Sequence, residues 1–98
     1  MKGVIEAVEE AAGLHPGSVD PDAVEIVAEE GDISWVVVAL PDGRWAATDD
    51  AEVAPDRVQV FPTRCAAVQA QWADWLLTYP DYWPTQATGR FGWRAEIP

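Results

Sequence analysis

Apolar residues recur along this chain with two different periods, and the changes between them mark out its elements. From Val4 to Ala12 the period is helical, with Val4, Ile5, Val8, Ala11 and Ala12 on one side and Glu6, Glu9 and Glu10 on the other. Gly13, Leu14 and Pro16 then read as a helix stop. This predicts a short amphipathic helix over residues 2–12. His15 to Asp22 carries two prolines, a glycine and a serine, the composition of a connecting loop.

Ala23 to Glu30 fits either regular structure. As a strand it sets Val24, Ile26 and Ala28 against Glu25, Val27 and Glu29; as a helix it has Asp20 as N-cap, Pro21 at the first position and Gly31 past the end. Gly31-Asp32 favours the strand, because it is a two-residue step into Ile33–Leu40, the densest β-branched run in the chain. The two segments then form a hairpin. Pro41-Asp42-Gly43 is a turn signal, and Arg44 to Thr48 reads as the returning strand with Trp45 and Ala47 on one face. Asp49 to Asp56, with four acids and Pro55, is a loop.

A further strand is expected over Arg57–Phe61, ended by Pro62, with Thr63 as N-cap of a long helix. In that helix, residues 63–78, the stripe Cys65, Val68, Trp72, Leu76 and Tyr79 is apolar, while Arg64, Gln71, Asp74 and Thr78 occupy the other side. Cys65 is thereby expected to be a buried, inert thiol. Pro80 to Gly89 is rich in loop residues around Tyr82 and Trp83, and Phe91, Trp93, Ala95 and Ile97 alternate as a last edge strand. The fold class expected is α+β, one domain over 1–98. It comprises an antiparallel sheet of three to five strands, the long helix (63–78) packed on one face, and the short N-terminal helix beside it.

Charge changes the picture more than length does. The net charge is −11, and residues 1–60 hold 14 acids and 3 bases whereas residues 61–98 hold 3 of each. Such a surface repels nucleic-acid backbones and anionic lipid, so direct binding to either is not expected, and a basic protein partner is favoured. The apolar run Ile33–Leu40 is too short to span a bilayer, and Glu6, Glu9 and Glu10 interrupt any signal-peptide core. With one cysteine, which excludes an intramolecular disulfide, a cytoplasmic location is expected.

No catalytic or cofactor motif stands out, and the chain is expected not to be an enzyme. The one histidine, His15, lies in a Gly/Pro loop; zinc needs more Cys and His than are present; Asp49-Asp50-Ala51-Glu52 lacks calcium-loop spacing; the glycines form no phosphate-cradling pattern. Partner binding is expected instead from the acids Asp42, Asp49, Asp50, Glu52 and Asp56 and from the aromatics Trp75, Tyr82 and Trp83.

The order of three strands and a helix over Ile33 to Leu77, with Phe61-Pro62-Thr63-Arg64 at the junction, resembles the small DNA-binding arm domains of phage-type integrases. The basic residues that such a sheet would carry are mostly absent here, so DNA binding is not carried over. In size and charge the chain is similar to phage-borne anti-CRISPR and anti-restriction proteins and to immunity proteins, though no residue motif assigns it to any of them. The function expected is that of a small acidic non-enzymatic inhibitor or regulator that binds a basic protein surface, as a DNA mimic acting on a nucleic-acid-processing complex. The alternative is an accessory or dimerising subunit, a homodimer included, that uses exposed aromatics and an edge strand.

Overall fold

Val36, Val37 and Val38 are each 0 % exposed. Consecutive strand residues point to opposite faces, so such a run requires a sheet covered on both sides. The computed structural model describes residues 2–78, and in it these valines lie in an inner strand. The elements are α1 (Lys2–Ala12), β1 (Val24–Glu30), β2 (Ile33–Ala39), β3 (Trp45–Asp49), β4 (Gln59–Phe61) and α2 (Arg64–Thr78). The four strands are antiparallel in the order β1-β2-β3-β4.

Two apolar clusters, one on each face, make the core. On one face α2 brings Ala67, Val68, Trp72 and Trp75 against Trp35, Val37 and Ala47. On the other, α1 and the loop after it bring Val4, Val8 and Val19 against Val36, Val38 and Ala46. The expected α+β class therefore holds, but α1 does not lie beside α2. It covers the opposite face, and the unbroken apolar character of β2 is the sequence signature of that arrangement.

Residues 24–30 form the strand rather than the helix, and Glu30 pairs with Ile33 across Gly31-Asp32. Gly31 has φ +59° and no non-glycine residue among those described has positive φ, so the positive angle falls on the first turn residue, as a type II′ hairpin requires. The competing helix signal was also real. Asp20 Oδ1 accepts from Asp22 N at 2.9 Å with Pro21 behind it, but the result is one 3-10 turn, Pro21–Ala23, which stops where the β-branched residues begin.

The expected alternation in β1 breaks at Val27, where a bulge shifts the register between Ile26 and Ala28. Val24 thus joins the α1-side cluster, while Val27 and Ala28 both join the α2-side cluster. A bulge leaves backbone groups without ladder partners. Here Trp72 Nε1 donates to Val27 O at 3.3 Å.

The helix termini follow the expected chemistry. Thr63 Oγ1 accepts from Ala66 N at 3.2 Å, capping α2. At the end of α1, Gly13 N donates to Glu10 O and Leu14 N to Glu9 O, a Schellman pattern with Gly13 at φ +73°. The strand expected over 57–61 is shorter than that, because Pro55–Arg57 closes as a 3-10 turn and pairing starts at Gln59.

The buried side of α2 differs from the expected stripe. Trp72 and Trp75 are each 1 % exposed, Gln71 is buried, and Cys65 is exposed. Two indoles three positions apart both demand burial, so the inward side centres between them, which carries Gln71 in and Cys65 out. Gln71 meets the cost of burial by donating Nε2 to Val36 O at 2.7 Å and to Thr48 O, bridging β2 and β3. Tyr79, Tyr82, Trp83 and the last strand expected over Phe91–Ile97 lie outside the described residues.

Candidate functional site

α1 carries its carboxylates where its own physics does not favour them. Glu9 and Glu10 fall in its last turn, which contains no basic residue, so they face the negative end of the helix dipole. Glu6 and Glu10 are a like-charged i, i+4 pair, a further small destabilisation. Arg44, from the segment before β3, offsets part of this by donating Nη2 to Ala12 O at 2.9 Å.

These three glutamates line an open groove of ≈ 900 Å³ between α1 and the loop that follows it. Ile5, Leu14, Pro16, Val19 and Pro21 supply its apolar surface. Glu6 and Glu10 are exposed, whereas Glu9 is only 4 % exposed. Glu9 Oε2 accepts from Gly17 N at 2.8 Å and from Val19 N at 3.0 Å, so its carboxylate shapes the loop that forms the far wall. Among the described residues nothing donates to its second oxygen, Oε1. Sequence pattern had set Glu9 on the polar side of α1, yet it sits four residues after Ile5 and three before Ala12, inside the stripe those residues define. That position was the available signal.

The acids expected to bind a partner are for the most part engaged within the fold. Asp42 holds Arg44 through Nε at 2.8 Å and also accepts the Arg44 amide at 3.0 Å. The guanidinium beside it holds the Asp42 carboxyl below the ordinary aspartate value, and Asp42 in turn raises the Arg44 pKa. Asp49 accepts from Ala51 N and from Arg57, Asp50 accepts from Ser34 N at 2.7 Å, and Glu52 lies 3.5 Å from Arg57. Asp56 is exposed and borders a smaller polar cleft of ≈ 450 Å³ between α2 and β3–β4, with Asp49, Arg57 and Asp74. Asp74 accepts from Trp35 Nε1 at 2.8 Å. Trp75 is in the core, so as it stands it offers no anchor to a partner.

His15 is exposed in the loop on the α1 side, and Cys65 is exposed at the start of α2 on the other side of the sheet. Among the described residues no three His, Cys, Asp or Glu side chains converge as a metal site, and no helix is long and apolar enough to cross a membrane. Comparison with protein-family models, curated proteins and solved structures finds no match to this chain.

Proposed function

We propose that this chain is a small non-enzymatic inhibitor or regulator that binds a basic protein surface. The observation that carries the reading is the internal accounting of cations. Arg44, Arg57 and Arg64 are each already in an ion pair, with Asp42, with Asp49 and Glu52, and with Glu25. The acids outside those pairs, among them Glu6, Glu10, Asp22, Glu30 and Asp32, contribute to the negative field of a chain whose net charge is −11. Such a field steers encounter with a positive partner and rejects polyanions.

A nucleic-acid-processing complex presents the most basic protein surfaces, which makes action as a DNA mimic, of anti-CRISPR, anti-restriction or immunity type, the form of this reading that charge favours. A cytoplasmic location goes with it. The test is affinity capture of the tagged chain's partners from cell lysate at low and at high salt, followed by competition with DNA. Recovery of a basic nucleic-acid enzyme that elutes with salt and is displaced by DNA supports the reading. Recovery of a neutral, salt-resistant partner contradicts it.

One observation favours a dimerising or accessory subunit instead: β1 is at an edge of the strand order and Ile26 is 46 % exposed there. The same strand, however, carries a bulge and Glu25, Glu29 and Glu30, features that discourage strand addition. The charge-based reading is the stronger.

A further inference from the structure

We infer that the groove between α1 and residues 14–21 is the docking site for a basic amphipathic segment of the partner, seated by an arginine or lysine whose head reaches Glu9. The inference rests on the function proposed above and specifies where and how the partner is held.

Three independent features converge on this occupant. The apolar surface of Ile5, Leu14 and Val19 matches the alkyl stem of a long cationic side chain and an apolar neighbour on the same segment. The rim is anionic, with exposed Glu6 and Glu10 on the α1 wall. At the groove surface, Glu9 is more than nine-tenths buried, and its Oε2 is committed to Gly17 and Val19 while Oε1 accepts nothing from the described residues. With the rest of the side chain buried and Oε1 left accessible at the groove, a charged donor that enters there forms its hydrogen bond with little competition from water.

Charge then selects the ligand. An anionic peptide, a nucleic-acid strand or a lipid headgroup meets three carboxylates, and a neutral apolar segment leaves Oε1 without a donor. The position of the glutamates is costly to α1 itself, since they oppose its dipole and repel each other, and a bound cation relieves both effects at once. Local choices that conflict with the stability of their own element are expected at sites of function.

The amides of Gly17 and Val19 donate to Glu9 and so report directly on its occupancy. The experiment is a two-dimensional NMR titration of the intact chain with the capped peptide acetyl-Leu-Arg-Leu-Arg-amide. The controls are the same peptide with citrulline in place of arginine, which keeps the shape and removes the charge, and with glycine in place of leucine. The expected result is saturable shifts centred on Gly17 and Val19, with affinity lowered about tenfold or more by citrulline or by Glu9→Gln. The leucine-to-glycine peptide is also expected to bind more weakly. Glu6→Gln and Glu10→Gln, on the exposed side of the helix, are expected to weaken binding a few-fold each without disturbing the fold, and they carry the test if Glu9→Gln does not fold. Equal binding of the citrulline peptide, shifts elsewhere on the surface, absence of saturable shifts, or indifference to both rim substitutions overturns the inference. A captured partner whose binding is salt-sensitive yet unaffected by these substitutions refutes the groove and leaves the proposed function standing. Peptide binding with no basic partner in the cell refutes the function and leaves the groove.

Discussion

Glu9 Oε2 accepts the Val19 amide at 3.0 Å, tying the last turn of α1 to a residue ten positions later that is itself in the core. The loop is thereby held against the sheet by a charge-assisted contact as well as by the packing of Leu14 and Val19. Glu9→Ala leaves the Gly17 and Val19 amides without their acceptor and is expected to destabilise the protein by about 1.5–3 kcal/mol, read as a shift in denaturant midpoint. Amide exchange at Gly17 and Val19 should accelerate in the same variant. An unchanged midpoint with unchanged exchange removes Glu9 from this role.

Trp72 combines bulk with a donor aimed at the bulge. Trp72→Ala is expected to cost about 3–5 kcal/mol through the cavity it leaves. Trp72→Phe keeps much of the volume and removes the donor to Val27 O, so its cost should lie nearer about 1–3 kcal/mol. A Trp72→Phe cost near zero, measured by chemical denaturation, shows that the indole N–H contributes nothing.

Gln71 bridges the carbonyls of Val36 and Thr48 from the inward side of α2. Replacing it with Leu suits the apolar surroundings but removes two hydrogen bonds that Gln71 adds to carbonyls of residues already paired with each other in the β2–β3 ladder. A loss of about 1–3 kcal/mol is expected for Gln71→Leu. A gain in stability contradicts the bridging role.

Asp42 and Arg44 provide the pH prediction. The folded Asp42 carboxyl titrates below the ordinary aspartate value of 3.8, chiefly because of its side-chain hydrogen bond with Arg44. With the folded value depressed, the pair's contribution to stability is complete above that ordinary value and is lost as pH falls through the folded one. Carboxyl NMR titration should therefore give Asp42 a midpoint below 3.8, and Arg44→Ala should return it to the ordinary range. A midpoint at the ordinary value in the unsubstituted protein contradicts the pairing. Loss of Arg44 should also loosen the end of α1, where its guanidinium meets Ala12 O.

Much of this fold was legible in residue pattern. Thr63 caps the helix that its position before an apolar run predicts, Gly13 closes α1, and Gly31-Asp32 turns the hairpin. Each of those signals is local, set by a few neighbouring side chains and backbone angles. The misreadings all involve competition between elements. Which side of α2 turns inward was decided by Trp72 and Trp75 packing together on the sheet, and not by the best apolar stripe taken alone. The placement of α1 opposite α2 depends on both faces of β2 needing cover. In the candidate site, acid density pointed to residues 42–56; there Asp42 is engaged by Arg44 within its own turn, and only the tertiary structure brings Arg57 to Asp49 and Ser34 N to Asp50. Glu9, Glu6 and Glu10 were visible as a polar helix side, and only the path of residues 14–21 turns that side into a groove.

The central claim is that a net negative surface guides this protein to a basic partner. Its most direct test is the association rate with the captured partner, measured at about 0.01 M and at about 0.15 M salt, across which the screening length shortens from about 30 Å to about 8 Å. The account predicts that the rate falls by about tenfold or more while the dissociation rate changes little. An association rate indifferent to salt contradicts it, and reduces the acidity of this chain to a property of its solubility.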